Sequence, residues 1–441
     1  MSPPTSWRTR LPFFYGWVVV GSMFLALAIS YGVYYSFSVF FVALLQEFGW
    51  SRAATAGVFS LFVLVISAGG AVAGTLIDRF GPARVVPVGG VLLAGGLAAT
   101  SGLSELWQFY LFFGIAAGLG LSWAGWVPCV TLVNRWFADK RGAAMGIASA
   151  GIGLGTVTVV PLVQQMISTI GWRSAFLALA ALSLLLITPQ AAYLLKGSPG
   201  ELGLAPDGGG KRSQAAGRAS RPMVVVDPKW AARPWSVATA ATTHRFWLLG
   251  ATMFFGILTN QMLWVHQAAY LVDHGYDRML AASMVGLAGL ASMPAKVFWG
   301  SLADRVGREG AYTMGVATML LAIGLLILTG ILPMVWLVPL FAVAFASGYA
   351  VTAPILPVSV ADVFGGRNFG SIFGVINLNT GLGAAVGAWL AGLVFDISGS
   401  YVAAFLAAAG SSVVSVICMW LAGPRRVRRV PRPGDKLILA R

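Results

Sequence analysis

One lysine poses the chemical question. In the stretch SMPAKVFWGSLADRVGR, residues 292–308, Lys296 stands inside a long apolar run with no acidic residue beside it. An ammonium in such a run either faces a cavity and finds a counter-charge, or lays its stem along the helix and reaches for the interface. The 14 Asp and Glu all fall in loops, at termini or at the ends of apolar runs. The missing counter-charge is most simply brought by a bound anion.

Polar residues that could surround such an anion recur at helical spacing. Tyr31, Tyr35 and Ser38 share a stripe of the first apolar run, and Asn260, Trp264 and Gln267 share one of the seventh. Tyrosine hydroxyls and carboxamides suit a carboxylate or hydroxyl ligand. The same residues serve equally well as packing and interface anchors. His266, with Tyr270 nearby, is the histidine expected inside a run. An ordinary imidazole titrates near neutrality, so His266 is the proton-coupling candidate; the alternative is a silent, hydrogen-bonded ring near the outer mouth. Tyr349 and Thr352 lie in the tenth run. Asn377 and Asn379 point about 200° apart on a helix, so at most one faces a site, and Asn377 is taken. Trp123 and Trp126 are weaker candidates.

These residues must be held by membrane helices. Of 441 residues 58% are hydrophobic and 10% charged, with a mean hydropathy of +0.81. A soluble domain carries roughly 25% charged residues. Spanning backbones must satisfy their own hydrogen bonds, which leaves helices or closed barrels. Long runs without alternation choose helices. About 20 residues cross the hydrocarbon core, and twelve spans are expected: 13–42, 53–77, 84–103, 107–133, 143–168, 174–195, 246–271, 279–303, 311–330, 334–360, 369–395 and 401–422. The fold class is an all-α membrane protein. The first run is too long for a signal peptide and lacks a small-residue cleavage site. Cys129 and Cys418 lie in separate spans, so neither a disulfide framework nor a metal site is expected. No catalytic constellation or phosphate loop is visible; the expectation is no enzyme and no cofactor.

The net charge of +15 raises nucleic acid as a partner, but its distribution answers otherwise. With a cytoplasmic N-terminus, all but four of the 29 Lys and Arg fall on cytoplasmic segments: Arg52, Arg173 and Arg278 lie outside and Lys296 within the membrane. That asymmetry obeys the positive-inside rule and places both termini in the cytoplasm of a cell (inner) membrane protein. The tail RRVRRVPRPGDK reads as a topogenic, lipid-facing end.

A Gly-, Pro-, Ser- and Arg-rich stretch, GSPGELGLAPDGGGKRSQAAGRASRP, divides the chain. The expected organisation is a six-helix half over 1–195, a cytoplasmic linker over 196–245, a second half over 246–422 and a basic tail over 423–441. Trp230 and Trp235 in the linker suit either a surface piece or an ordinary loop. The halves repeat: GTLIDRFG at 74–81 and GSLADRVG at 300–307 share Gly, Leu, Asp, Arg and Gly after the second span of each half.

That motif resembles a signature of the major facilitator superfamily. Gly74, Asp78, Arg79 and Gly81, with Arg84, match its loop between spans 2 and 3; Gly300, Asp304, Arg305 and Gly307 match the counterpart between spans 8 and 9. The resemblance covers nearly the whole chain. Gly74 and Gly300 should permit close helix approach, Gly81 and Gly307 a tight turn, and the Asp–Arg pairs should hold helix ends together in one conformation and release them in another.

Two further stretches resemble the monocarboxylate porters, a branch that includes oxalate:formate exchangers. These are Gly16-Trp17-Val18-Val19-Val20 and NRWFADKRGAAMGIASAGIGLG, with Trp136, Phe137, Arg141, Gly146, Ala150 and Gly151 at the family's spacing. Arg141 joins the gating set. Small residues there should let span 5 pack closely on a neighbour. The Gly-Pro signature of drug antiporters is absent, since Pro161 follows Val160.

Lys296 matches the family's carboxylate-binding arginine of span 8. Eight residues from Asp304, it should lie roughly 12 Å deep. Two departures bear on coupling. Ser292 stands where some members have an aspartate, and Tyr35 where some have a lysine. The resemblance therefore implies a monomeric secondary carrier of a small organic anion such as lactate or pyruvate. Proton symport and anion exchange stay open. Efflux of an apolar compound is a rival reading, and a membrane ligand sensor a rival of another class.

Overall fold

The computed structural model describes residues 12–137, 140–208, 224–366 and 368–429. Parts of the linker and tail, and Arg8 and Arg10, lie outside the described residues. Eleven of the described helices are long and apolar enough to cross a membrane. One of them, Arg141–Leu194, has 54 residues and breaks at Gly171, so it supplies two spans. The twelve spans are α1 (Gly16–Phe48), α2 (Arg52–Phe80), α3 (Pro82–Ser101), α4 (Leu106–Trp136), α5 (141–170), α6 (172–194), α7 (His244–Asp273), α8 (Arg278–Val306), α9 (Arg308–Ile331), α10 (Leu337–Phe364), α11 (Phe369–Ser398) and α12 (Val402–Ala422). A two-stranded antiparallel sheet pairs β1 (Val224–Val225) with β2 (Arg428–Arg429).

Glycine sets the sharpest turns. Gly81 between α2 and α3, Gly171 between α5 and α6, and Gly307 between α8 and α9 have φ/ψ of 79°/156°, 82°/160° and 94°/164°. That extended, positive-φ region is open essentially to glycine alone. Pro82 then starts α3 with a fixed φ where no helical N–H is needed.

The chain forms two compact units. The first comprises Met1–Ala43 and Leu61–Gly217, the second Leu44–Ser60 and Arg218–Arg441. Residues 44–60 group with the second unit for a visible reason. Asp396 accepts both the Arg52 N–H (2.9 Å) and the Ala53 N–H (2.7 Å), capping α2.

Each unit repeats one packing device. In the first, Gly151 and Gly155 of α5 lie on the Phe24 and Ala28 carbonyls of α1, where a Cβ would collide with backbone. In the second, Gly383 and Gly387 of α11 lie in the same way on Phe254 and Leu258 of α7. A Gly-x-x-x-Gly stripe lets backbones meet when lipid gives helices no hydrophobic drive to associate. Around these seams the first unit packs aromatics, with Phe40 stacked on Phe176 at 3.7 Å. The second buries Trp299, Tyr312, Ile355, Phe364 and Ile376 in a single cluster.

Candidate functional site

Lys296 sits ten residues before the end of the 29-residue α8, half-buried, two residues after Pro294. Trp299 Nε1 donates to the Ser347 carbonyl at 2.9 Å and fixes α8 against α10. That register brings the Lys296 ammonium to 5.4 Å from the ring centroid of Tyr349. Tyr349 meets Trp264 of α7 edge-on at 5.5 Å, and Trp264 meets Phe345 at 5.0 Å. Among the described residues Lys296 makes no ion pair. Three residues named from the sequence, Lys296, Tyr349 and Trp264, are thus brought together within the second unit.

The rest of the α7 stripe is buried but incompletely bonded. Asn260 is 3% exposed and Gln267 1%. Among the described residues, the Asn260 Nδ2 and both amide atoms of Gln267 have no hydrogen-bond partner. A buried amide left so costs about 1–3 kcal/mol, which a ligand or water would recover. Asn260 also borders a small cavity lined by Tyr312, Thr352, Ser412 and Ser415 together with Val316, Met319 and Val351. Asn377 is exposed, and its Oδ1 accepts from Thr380. Asn379 packs instead over Gly250 of α7.

His266 belongs to a separate network. It is fully buried, with Nε2 2.8 Å from the Ala388 carbonyl and Nδ1 2.9 Å from the Tyr401 hydroxyl. A carbonyl only accepts, so Nε2 carries the proton. In the neutral ring Nδ1 then accepts from Tyr401. The Tyr401 oxygen accepts in turn from Arg52 Nη1 at 2.8 Å. The Tyr401 hydroxyl thus donates to His266 while its oxygen accepts from Arg52. Arg52 completes the set with an ion pair to Asp273 (2.6 Å) and a stack over Phe395 (3.8 Å). Both ring nitrogens of His266 are engaged in holding this chain.

In the first unit, Tyr31 and Tyr35 of α1 share a cluster with Tyr34, at ring separations of 5.7 Å (31–34), 6.2 Å (31–35) and 4.9 Å (34–35). Tyr34 is absent from the sequence reading, although it lies three residues from Tyr31. Trp123 has a buried Nε1 with no partner among the described residues, and Trp126 is exposed.

The loop motifs differ from expectation in two respects. Asp78 pairs with Arg135 of α4, not with Arg79, which is exposed and lies over Phe80. Asp304 pairs with Arg308 at 2.7 Å, not with the exposed Arg305. Arg308 also reaches Asp362 at 3.3 Å, and both are below 9% exposed. Nor do the leading glycines mark close approach here. A Cβ on Gly74 would meet nothing within 4 Å, and one on Gly300 only Pro354 at 3.5 Å. Gly81 and Gly307 hold the turns described above. Arg84 lines an apolar groove with Leu76, Phe80, Val85, Val88 and Trp123. Arg141 opens α5; its side chain lies outside the described residues.

Twelve apolar helices in two units, each unit with one such glycine seam, make this a multi-pass membrane protein. A sequence model described as Major Facilitator Superfamily matches residues 23–388, and the chain belongs to that superfamily. It resembles monocarboxylate transporter 13 of Rattus norvegicus, 28% identical over 407 residues covering 91% of this chain and 88% of the relative. Human monocarboxylate transporter 11 is 30% identical over 421 residues, covering 93% and 83%. Human monocarboxylate transporter 2 is 27% identical over 419 residues, covering 92% and 84%. Among solved structures it matches a bacterial homologue of the human lysosomal transporter Spinster, inward-facing and unoccupied. The TM-score is 0.68 at 16% identity, over 94% of this chain and 98% of that one, a likeness of fold. The protein is a transporter of this superfamily and not an enzyme.

Proposed function

We propose that the protein carries a small organic anion, a monocarboxylate such as lactate or pyruvate, by alternating access, with Lys296 binding the carboxylate. The observation that carries this reading is a half-buried ammonium, deep in α8, with no ion-pair partner among the described residues. A lysine at the centre of a span costs about 2.5–3.5 kcal/mol on insertion scales. The face of Tyr349 returns about 0.5–2 kcal/mol of that. A carboxylate supplies the remaining compensation and leaves with it, as a carrier requires. The resemblance to proteins named monocarboxylate transporters supports the same substrate class.

In this reading the two six-helix halves, 1–195 and 246–422, rock about the site in a cell membrane. Both termini are cytoplasmic, as the distribution of Lys and Arg supports. Of the two coupling modes, anion exchange of the oxalate:formate type draws on a specific observation. His266 is committed to Tyr401 and Ala388, and Ser292 bonds the Gly289 carbonyl, so no titrating partner of Lys296 emerges from the candidates. Uptake of radiolabelled lactate, pyruvate and oxalate into proteoliposomes tests the proposal. We expect one of them to accumulate above protein-free vesicles; none doing so refutes it. Stimulation by an inward proton gradient would indicate symport, and stimulation by preloaded anion would indicate exchange.

A further inference from the structure

The end of the second unit where α7 begins and α12 ends carries a basic corner that carboxylate transport does not use. Arg245, the second residue of α7, lays its guanidinium 4.3 Å over Trp230. Its Nη1 is buried with no hydrogen-bond partner among the described residues. Trp230 is itself fixed: Nε1 donates to the Val363 carbonyl at 2.9 Å, and the ring packs on Trp235 at 4.6 Å. Arg233 lies over Trp235 at 4.8 Å. Beyond the end of α12, the Val427 carbonyl accepts the Val226 N–H at 2.8 Å, which brings the exposed Arg426 beside the turn that carries Asp227 and Trp230.

The acids nearby offset only part of this charge, since Asp227 and Glu309 stand among Arg233, Arg245, Arg425 and Arg426. Asp227 caps the short turn at Trp230, its Oδ1 accepting the Trp230 N–H at 3.0 Å. Glu309 accepts the Arg425 N–H at 2.9 Å. The N-cap of α7, Thr243, turns its hydroxyl to the Ala240 carbonyl and leaves the first amides of the helix without a side-chain cap. Trp247, on the first turn of α7, is 63% exposed. Exposed tryptophan beside stacked guanidiniums is the chemistry of the membrane–water interface.

We propose that this corner binds the phosphate of an anionic phospholipid from the adjoining leaflet. Arg245 and Arg426 donate to the phosphodiester oxygens. Guanidinium–phosphate pairing is charge-assisted and geometrically matched, and an anion at this place also faces the start of a helix. Bilayer phospholipid is the committed source because the exposed Trp247 on the first turn of α7 places the corner at headgroup depth.

The test uses the purified full chain in uncharged detergent, titrated separately with phosphatidylglycerol, phosphatidylcholine and inorganic phosphate. Thermal unfolding and native mass spectrometry are the readouts. Phosphatidylglycerol should raise the melting temperature and remain bound in the mass spectrum, while the other two do neither. Arg245→Gln with Arg426→Gln should remove the lipid-dependent shift. Arg426→Gln alone, at an exposed position that folding does not depend on, should weaken lipid binding about fivefold. An equal response to phosphatidylcholine overturns the proposal, as does a response reproduced by inorganic phosphate. So does unchanged phosphatidylglycerol binding by Arg426→Gln.

Discussion

Replacing Tyr401 by Phe should destabilise the protein by about 2–4 kcal/mol. The substitution keeps the ring, its stack on Phe405 and its contact with Phe395, and removes one oxygen. That oxygen links Arg52 to His266 through bonds of 2.8 and 2.9 Å. A neutral buried hydrogen bond contributes about 0.5–1.5 kcal/mol and one to a charged donor about 1.5–3. Arg52 keeps Asp273 and Phe395, so the charged bond falls toward the low end of its range. The cost is read from the unfolding midpoint of purified protein in detergent, wild type against Tyr401→Phe. It should shrink in an Arg52→Met background by roughly 0.5–3 kcal/mol, the coupling of groups sharing one network. A loss below about 0.5 kcal/mol, or strict additivity with Arg52→Met, would refute the hydrogen-bonded chain.

Further outcomes follow from the same geometry. Asp362→Asn should cost about 3 kcal/mol in unfolding measurements, the low end for breaking a buried pair, because Arg308 retains Asp304. Asp78→Asn, in a pair whose side chains are 34% and 68% exposed, should move the same midpoint by less than about 1 kcal/mol. Gly387→Leu should prevent α11 from docking on Leu258 and sharply lower the yield of folded protein, whereas Gly74→Ala, with open space around it, should be tolerated. Gly81→Ala should cost about 1–3 kcal/mol of stability, since its φ of 79° with ψ of 156° is a backbone state that alanine resists.

The helices were legible because a membrane forces each span to satisfy its own backbone, so a continuous apolar run has one reading. Gly81 and Gly307 could be seen as turn residues from the repeat alone. The ion pairs were misread for a geometric reason. Consecutive residues on a helix point about 100° apart, so Asp78 and Asp304 cannot clasp the arginines that directly follow them. Arg308, four residues after Asp304, was accessible to the i,i+4 rule. Tyr34 was missed in the same way, because the stripe through Tyr31 took i+4 and passed over i+3. The Arg52 network was beyond reach: Asp273, Asp396 and Tyr401 are more than 200 residues away in sequence and no periodicity links them. Lys296 was conspicuous in sequence, because a charge inside an apolar run is anomalous under any fold; its neighbour Tyr349 was named as a polar candidate but not as the ring beneath it.

The most direct test concerns Lys296. Uptake of the transported anion should be compared in proteoliposomes holding wild type, Lys296→Ala or Lys296→Arg at equal, folded amounts. We predict that Lys296→Ala abolishes uptake and anion binding, and that Lys296→Arg retains measurable binding because the charge persists. Uptake by Lys296→Ala at the wild-type rate would contradict the assignment and leave the lysine a side chain that merely lies along Tyr349.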